Sequence, residues 1–259
     1  MGIRAMRMNR VIGGACLLGM VIGLPGVAMA RGGSCAGLPS HGDLKAALDA
    51  AVAVETSGLN FDMWGTIVNR DGIVCAVAFS GNNRGSQWPG SRVISAQKAN
   101  TANAFSLDGL ALSTANLYSA VQPGGSLYGL QHSNPVDTGV AYKGPSRNYG
   151  KANDPMVGKK IGGVNVFGGG LALYNEAYKI IGAVGVSGDT SCADHMIGWR
   201  TRNNLGYDLF GATVGGVSGD AQRPDNIVYD IVDGVSAGGF GHPTCIATGD
   251  QTALPPVQQ

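Results

Sequence analysis

The chain has no basic run: its 18 lysines and arginines are scattered among 17 acidic residues. Without a positive stripe to follow phosphates, nucleic-acid binding is excluded. There is no His-Glu-x-x-His segment and no closely spaced cysteine pair, so the usual zinc-protease and thiolate-metal signatures are missing. Aromatics are only 7% of residues, and histidines do not occur in pairs. No stretch beyond residue 24 is long and apolar enough to span a bilayer, and no segment repeats at a solenoid or propeller period. Three enzymatic patterns also fail. Gly158-Lys159-Lys160 lacks the earlier glycine and the following hydroxyl of a phosphate loop. Residues 162–170 lead into a strand where a dinucleotide fingerprint needs a helix. Gly234-Val235-Ser236-Ala237-Gly238 has nucleophile-elbow spacing, but too little chain follows to supply the acid and histidine on further strands.

What the chain has in excess is glycine, 43 of 259 residues, roughly twice the usual share and spread as punctuation between short segments. It also opens like a leader. Arg4, Arg7 and Arg10 precede an apolar stretch at 11–24, followed by Pro25-Gly26 and Ala28-Met29-Ala30. That is the order of a cleavable secretory signal, with cleavage after Ala30. Cys16 fits a lipoprotein cysteine badly, because Gly13-Gly14-Ala15 precedes it and the apolar run continues past it. The expectation is an exported protein, periplasmic or secreted, with no membrane span after signal removal. Cys35, Cys75, Cys192 and Cys245 then remain, an even number that points to two disulfides in an exported chain. All three connectivities stay open. Cys35 and Cys245 lie outside the expected core, so at least one bond ties an extension down.

Leu44, Ala47, Leu48, Ala51 and Val52 predict an amphipathic helix over 43–56. Residues 61–68 and 73–79 read as strands joined at Asn69-Arg70-Asp71-Gly72, a hairpin. Helices are expected over 91–105 and 112–121. From 122 to 158 the chain is rich in Gly, Pro, Asn and Ser, the mark of a lid, a binding loop or an ordered coil. Strands are expected at 163–167, 171–174 and 179–186, with a closing helix from 191 to 204. This order predicts an α+β layer sandwich, an antiparallel sheet flanked by helices, and disfavours a parallel βαβ fold. The domain plan is a signal at 1–30, an N-terminal segment at 31–42, the sheet-and-helix domain at 43–205 and an irregular C-terminal extension at 206–259.

Chemistry concentrates at 182–195, where a glycine-spaced strand runs into a helix start carrying Cys192, Asp194 and His195. Ser191-Cys192-Ala193-Asp194 matches a capping box in acidic form, hydroxyl at the cap and carboxylate reaching back. The helix's partial positive charge holds His195 neutral, leaving a lone pair for a metal, a haem iron or a proton. A hydrogen-bonded structural histidine is the plainer alternative. Asp194 and His195 together are also a candidate metal pair. Lys98 shares a stripe with Ile94, Thr101, Ala102 and Phe105, and either snorkels to the rim or meets an anion in a pocket. His132 sits beside Gln131 and Asn134 in the long loop, where solvation is the default. His41 and His242, near Cys35 and Cys245, show no ligand spacing.

Asn69–Gly72 with its hairpin, Ser95–Ala102 with its lysine, Phe167-Gly168-Gly169-Gly170-Leu171 and Ile181–Gly188 occur in one order. In that order the chain resembles the GlcG/HbpS-like haem-binding family over 43–205. The resemblance implies an antiparallel α+β fold, assembly into homo-oligomers and, for part of the family, haem binding, haem degradation or iron binding. His195 or His132 would then supply the nitrogen to iron, and Lys98 or Arg92 would meet a propionate. This chain differs in having Cys-Ala-Asp-His at 192–195, where glutamates and a glutamine are commoner, a longer loop at 122–158 and a cysteine-bearing extension. Three functions follow. The first is an exported haem-binding protein, accessory to haem uptake, sensing or degradation. The second is a structural or assembly subunit without a bound cofactor. The third is a non-haem metal-binding protein or enzyme using Asp194 and His195.

Overall fold

Leu44, Leu48 and Ala51, at helical spacing, are buried along α1 (His41–Val54). Ser40 caps it in a reciprocal box: its hydroxyl accepts the Asp43 N–H while the Asp43 carboxylate accepts the Ser40 N–H. The protein is described here by a computed structural model covering residues 1–2 and 35–259. The expected leader and its cleavage point lie outside the described residues. Contacts separate Met1–Arg31 from Gly32–Gln259, and the second unit carries the fold.

After α1 come β1 (Trp64–Asn69), β2 (Val74–Phe79) and α2 (Ser91–Phe105). A 3-10 turn at Thr114–Leu117 runs into α3 (Tyr118–Val121), followed by the short helices α4 (Leu130–Ser133) and α5 (Thr138–Ala141). Then follow β3 (Gly170–Tyr174), β4 (Ile180–Ser187) and α6 (Ser191–Leu205). The four strands pair antiparallel in the order β2-β1-β4-β3. This is the antiparallel, helix-flanked α+β sheet that the order of segments predicts.

Alternation along β1 explains the layers. Trp64, Thr66 and Val68 face α2, Thr66 through a 2.7 Å hydrogen bond to Ser95, while Ile67 joins the core beneath α1 and α6. Both faces are therefore covered, and every residue of β1 is buried. The glycines of β4 serve this packing. A Cβ on Gly185 would lie 2.0 Å from the Ser95 carbonyl oxygen, so only glycine lets α2 cross the strand this closely.

Two expectations are corrected. Residues 163–167 form no strand: Gly162 and Gly163 take φ of 62° and 81°, which breaks an extended run. Val166 packs instead with Leu112, Leu117 and Val121. The helix expected over 112–121 is a 3-10 turn followed by one α turn. Within 122–158, α4, α5 and a 3-10 turn at Ser146–Asn148 order the loop.

The two disulfides join Cys35 to Cys75 and Cys192 to Cys245. The first ties the N-terminal segment to the edge strand β2, and the second ties the extension to α6. Closing loops of 40 and 53 residues stabilises the fold by about 4 kcal/mol each in the chain-entropy picture. The extension also enters the core, through Phe210, Val214, Leu254 and Val257. It lines the open edge of β3, where the Tyr174 N–H donates to the Tyr207 carbonyl at 2.8 Å. Its only strands among the described residues are the hairpin pair β5 (Ile231–Val232) and β6 (Val235–Ser236).

Candidate functional site

The turn after β4 sets the start of α6. Thr190 is the N-cap, its hydroxyl accepting the Ala193 N–H. The capping box expected of Ser191 and Asp194 is therefore not formed. Asp194 lies one position too deep to reach back to a cap. Its Oδ1 accepts the N–H groups of Gly188 and Asp189 at 2.9 and 2.8 Å, and its Oδ2 accepts from Lys98 Nζ at 2.6 Å. The carboxylate thus pins the β4–α6 turn to α2.

Lys98 does not snorkel. Its ammonium is buried, donating also to the Val186 carbonyl at 3.1 Å. Burial pushes the Lys98 ammonium down and the Asp194 carboxyl up from their ordinary ranges, each opposed by the charge of the other. Close charge-assisted geometry with two further N–H donors is what makes such a buried pair tolerable.

His195 is fully buried. Its Nε2 lies 3.1 Å from the Asn226 amide oxygen, and the Ile227 N–H approaches that oxygen at 2.9 Å and Nε2 at 3.1 Å. With Nε2–H donating to Asn226, Nδ1 keeps a bare lone pair, and that atom is buried without a partner. Burial lowers the imidazole to about 3, so it stays neutral across the physiological range. Asp194 and His195 are adjacent in sequence but share no partner: one faces Lys98 and the turn, the other faces Asn226. They do not form the metal pair expected of them.

Beside them the extension makes two more contacts. His242 Nε2 lies 2.7 Å from Ser191 Oγ, and Cys245 bonds Cys192. Burial lowers His242 to about 4. The sulfurs of Cys192 and Cys245 and an imidazole nitrogen of His242 lie within 4.8 Å of one another, but sulfurs joined in a disulfide are not thiolate ligands.

The remaining expected residues lie apart from this cluster. Arg92 is buried and engaged: its Nε donates to Asp154 at 2.8 Å, Nη2 bonds the other carboxylate oxygen, Nη1 donates to the Ala141 carbonyl at 2.7 Å, and Tyr149 stacks on it at 3.7 Å. All three of its nitrogens are already engaged inside the fold, and burial keeps the guanidinium from solvent. His132 is exposed on α4, with exposed Leu127 and Tyr128 on the preceding turn.

Asn226, His242 and Ser191 are the site residues that sequence reading passed over as partners. The signal that could have found His242 is its place three residues before Cys245: once Cys192 and Cys245 are paired, His242 must lie at the start of α6.

A family model described as haem degrading protein HbpS-like matches residues 40–200, well over half of the chain. This protein belongs to the HbpS-like family. Among solved structures it is similar to the protein ORFY of Klebsiella pneumoniae, with 25% identity over 63% of this chain and 86% of that one, at a TM-score of 0.43. It is also similar to PduOC, solved as a complex with haem, with 22% identity over 63% of this chain and 89% of that one, again at 0.43. No curated protein matches. The HbpS-like match ends at residue 200, so Asn226, His242 and Cys245, which cover the start of α6, lie beyond it.

Proposed function

We propose that this protein is an exported member of the HbpS-like family that binds haem or a related tetrapyrrole. The observation that carries the reading is the family match over 40–200. The two disulfides suit an oxidising compartment, and no helix among the described residues is long and apolar enough to cross a membrane. Assembly with further copies of the chain belongs to the same reading.

The buried candidates His195, Lys98 and Arg92 do not fit haem. A tetrapyrrole needs an apolar slot with an iron ligand facing it and cations at its rim. His195 is sealed between α6 and the extension, Lys98 is spent on Asp194, and Arg92 on Asp154. His132 is the one proposed ligand whose ring is exposed, so any contact with iron is assigned to the surface around α4 and not to the buried cluster. The buried cluster favours the structural reading for its own residues, as the joint that holds the extension.

Haemin titration of the purified protein tests the reading. A saturable Soret shift with one binding event per chain is expected. A spectrum that stays that of free haemin at all ratios discards haem and leaves an assembly subunit without cofactor.

A further inference from the structure

We propose that Ser191 and His242 form a nucleophile–base pair that accepts the acyl group of a short, uncharged ester. Nothing in the family match assigns a role to either residue, and His242 lies outside it.

The protonation pattern follows from the partners. His242 Nδ1 lies 2.7 Å from the Pro243 carbonyl oxygen, which can only accept, so Nδ1 carries the proton. The neutral ring therefore presents a lone pair at Nε2, and the Ser191 hydroxyl donates to it across 2.7 Å. Nucleophile, base and a group that orients the base are thus in hydrogen-bond contact, the arrangement an activated serine requires. The ring is further held by Tyr118, whose centroid lies 4.9 Å away.

Two features support charge on the oxygen as its proton leaves. The Gly168 N–H donates to Ser191 Oγ at 2.7 Å, and Ser191 opens the 15-residue α6, where the helix's partial positive charge lies. The Cys192 N–H, next in the chain, donates to the sulfur of Cys245 at 3.2 Å, a weak acceptor that a carbonyl oxygen developing negative charge can displace. The base is almost fully buried at 2% exposure, whereas Ser191 is partly exposed.

The substrate class follows from the neighbouring cleft. A cleft of about 740 Å³ is lined by Tyr118 and Pro243, the residues that hold His242, and extends to Ser126 and Val235; Ser191 and His242 adjoin it through those two residues and do not themselves line it. None of its lining residues is charged, which suits a neutral ester. In acylation, Oγ bonds the carbonyl carbon and its proton passes to Nε2; the ester C–O bond then breaks and the leaving alkoxide takes that proton. Water reverses the sequence, giving a proton to Nε2 as it bonds the acyl carbon, and the carboxylic acid leaves as Oγ regains the proton.

The test uses the full chain with its disulfides intact. It is treated with a fluorophosphonate probe, mapped by peptide mass spectrometry and assayed for 4-nitrophenyl acetate hydrolysis. One label at Ser191 is expected, lost in Ser191→Ala together with the esterase activity. In His242→Asn the labelling rate should fall at least about a hundredfold, with the wild-type circular dichroism kept. If His242→Asn fails to fold, the wild-type map and Ser191→Ala decide alone. An unlabelled wild type, a label elsewhere, or labelling and hydrolysis undiminished in Ser191→Ala overturns the proposal.

Discussion

Asp194 and His195 stand side by side yet face opposite elements, and their energetics differ accordingly. Lys98→Met leaves the Asp194 carboxylate buried with two N–H donors and no cation, and should destabilise the fold by about 3–5 kcal/mol. Urea denaturation checks this, and a loss below about 1 kcal/mol would show that the pair is not buried as described. His195 makes a pH-dependent contribution. Unfolded, an imidazole protonates near 6.5; folded, this one does so only near 3. The unfolded chain binds the extra proton between these values, so the contribution is fully present above pH 6.5 and is lost as pH falls towards 3. His242 acts with the same sign down to about 4, and the raised carboxyl of Asp194 acts with the opposite one. His195→Gln should therefore flatten the acid-side fall in unfolding free energy, by up to about 1.4 kcal/mol per pH unit. Equal slopes in variant and wild type would contradict a buried neutral His195. The apolar stripe of α2 and the odd lysine in it were legible in sequence. The destination of Lys98 was not, because Asp194 lies 96 positions away and local spacing carries no information about such a partner.

At the scale of elements, sequence periodicity located α1, both hairpin strands, α2, β4 and α6 to within a few residues. It failed where chain geometry outranks side-chain pattern. Val164 and Val166 alternate like a strand, but the left-handed glycines before them turn the backbone away. Helices of one turn, such as α4 and α5, are too short to display a 3.6-residue period. The reverse case is Gly185, where the sequence signal had a specific cause in the crossing of α2. Gly185→Val should displace α2 and cost about 1–3 kcal/mol or more, read as a lowered Tm. A neutral outcome would mean that Ser95 and Ala99 do not press on β4 as described.

Across the whole molecule, cysteine parity foretold two disulfides, and the pairing came from the fold, which brings 245 back to 192. The C-terminal extension is the feature least legible in sequence. Its weak periodicity hid residues that complete the core, line the edge of β3 and seal the start of α6. Removing the Cys192–Cys245 bond in a double Ser variant should lower stability by about 2–4 kcal/mol and expose the extension to limited proteolysis between 206 and 259. Cleavage first within 43–205 would contradict the extension's dependence on that bond. The same sealing bears on function, because it places His195 out of reach of any large ligand while leaving His132 at the surface. The most direct measurement is haemin titration of wild type, His132→Ala and His195→Ala side by side, following the Soret band. Saturable binding is expected in the wild type, with affinity weakened at least tenfold in His132→Ala and unchanged in His195→Ala with its fold intact. A folded His195→Ala that loses the band while His132→Ala keeps it would place the iron ligand in the buried cluster and not on the surface around α4.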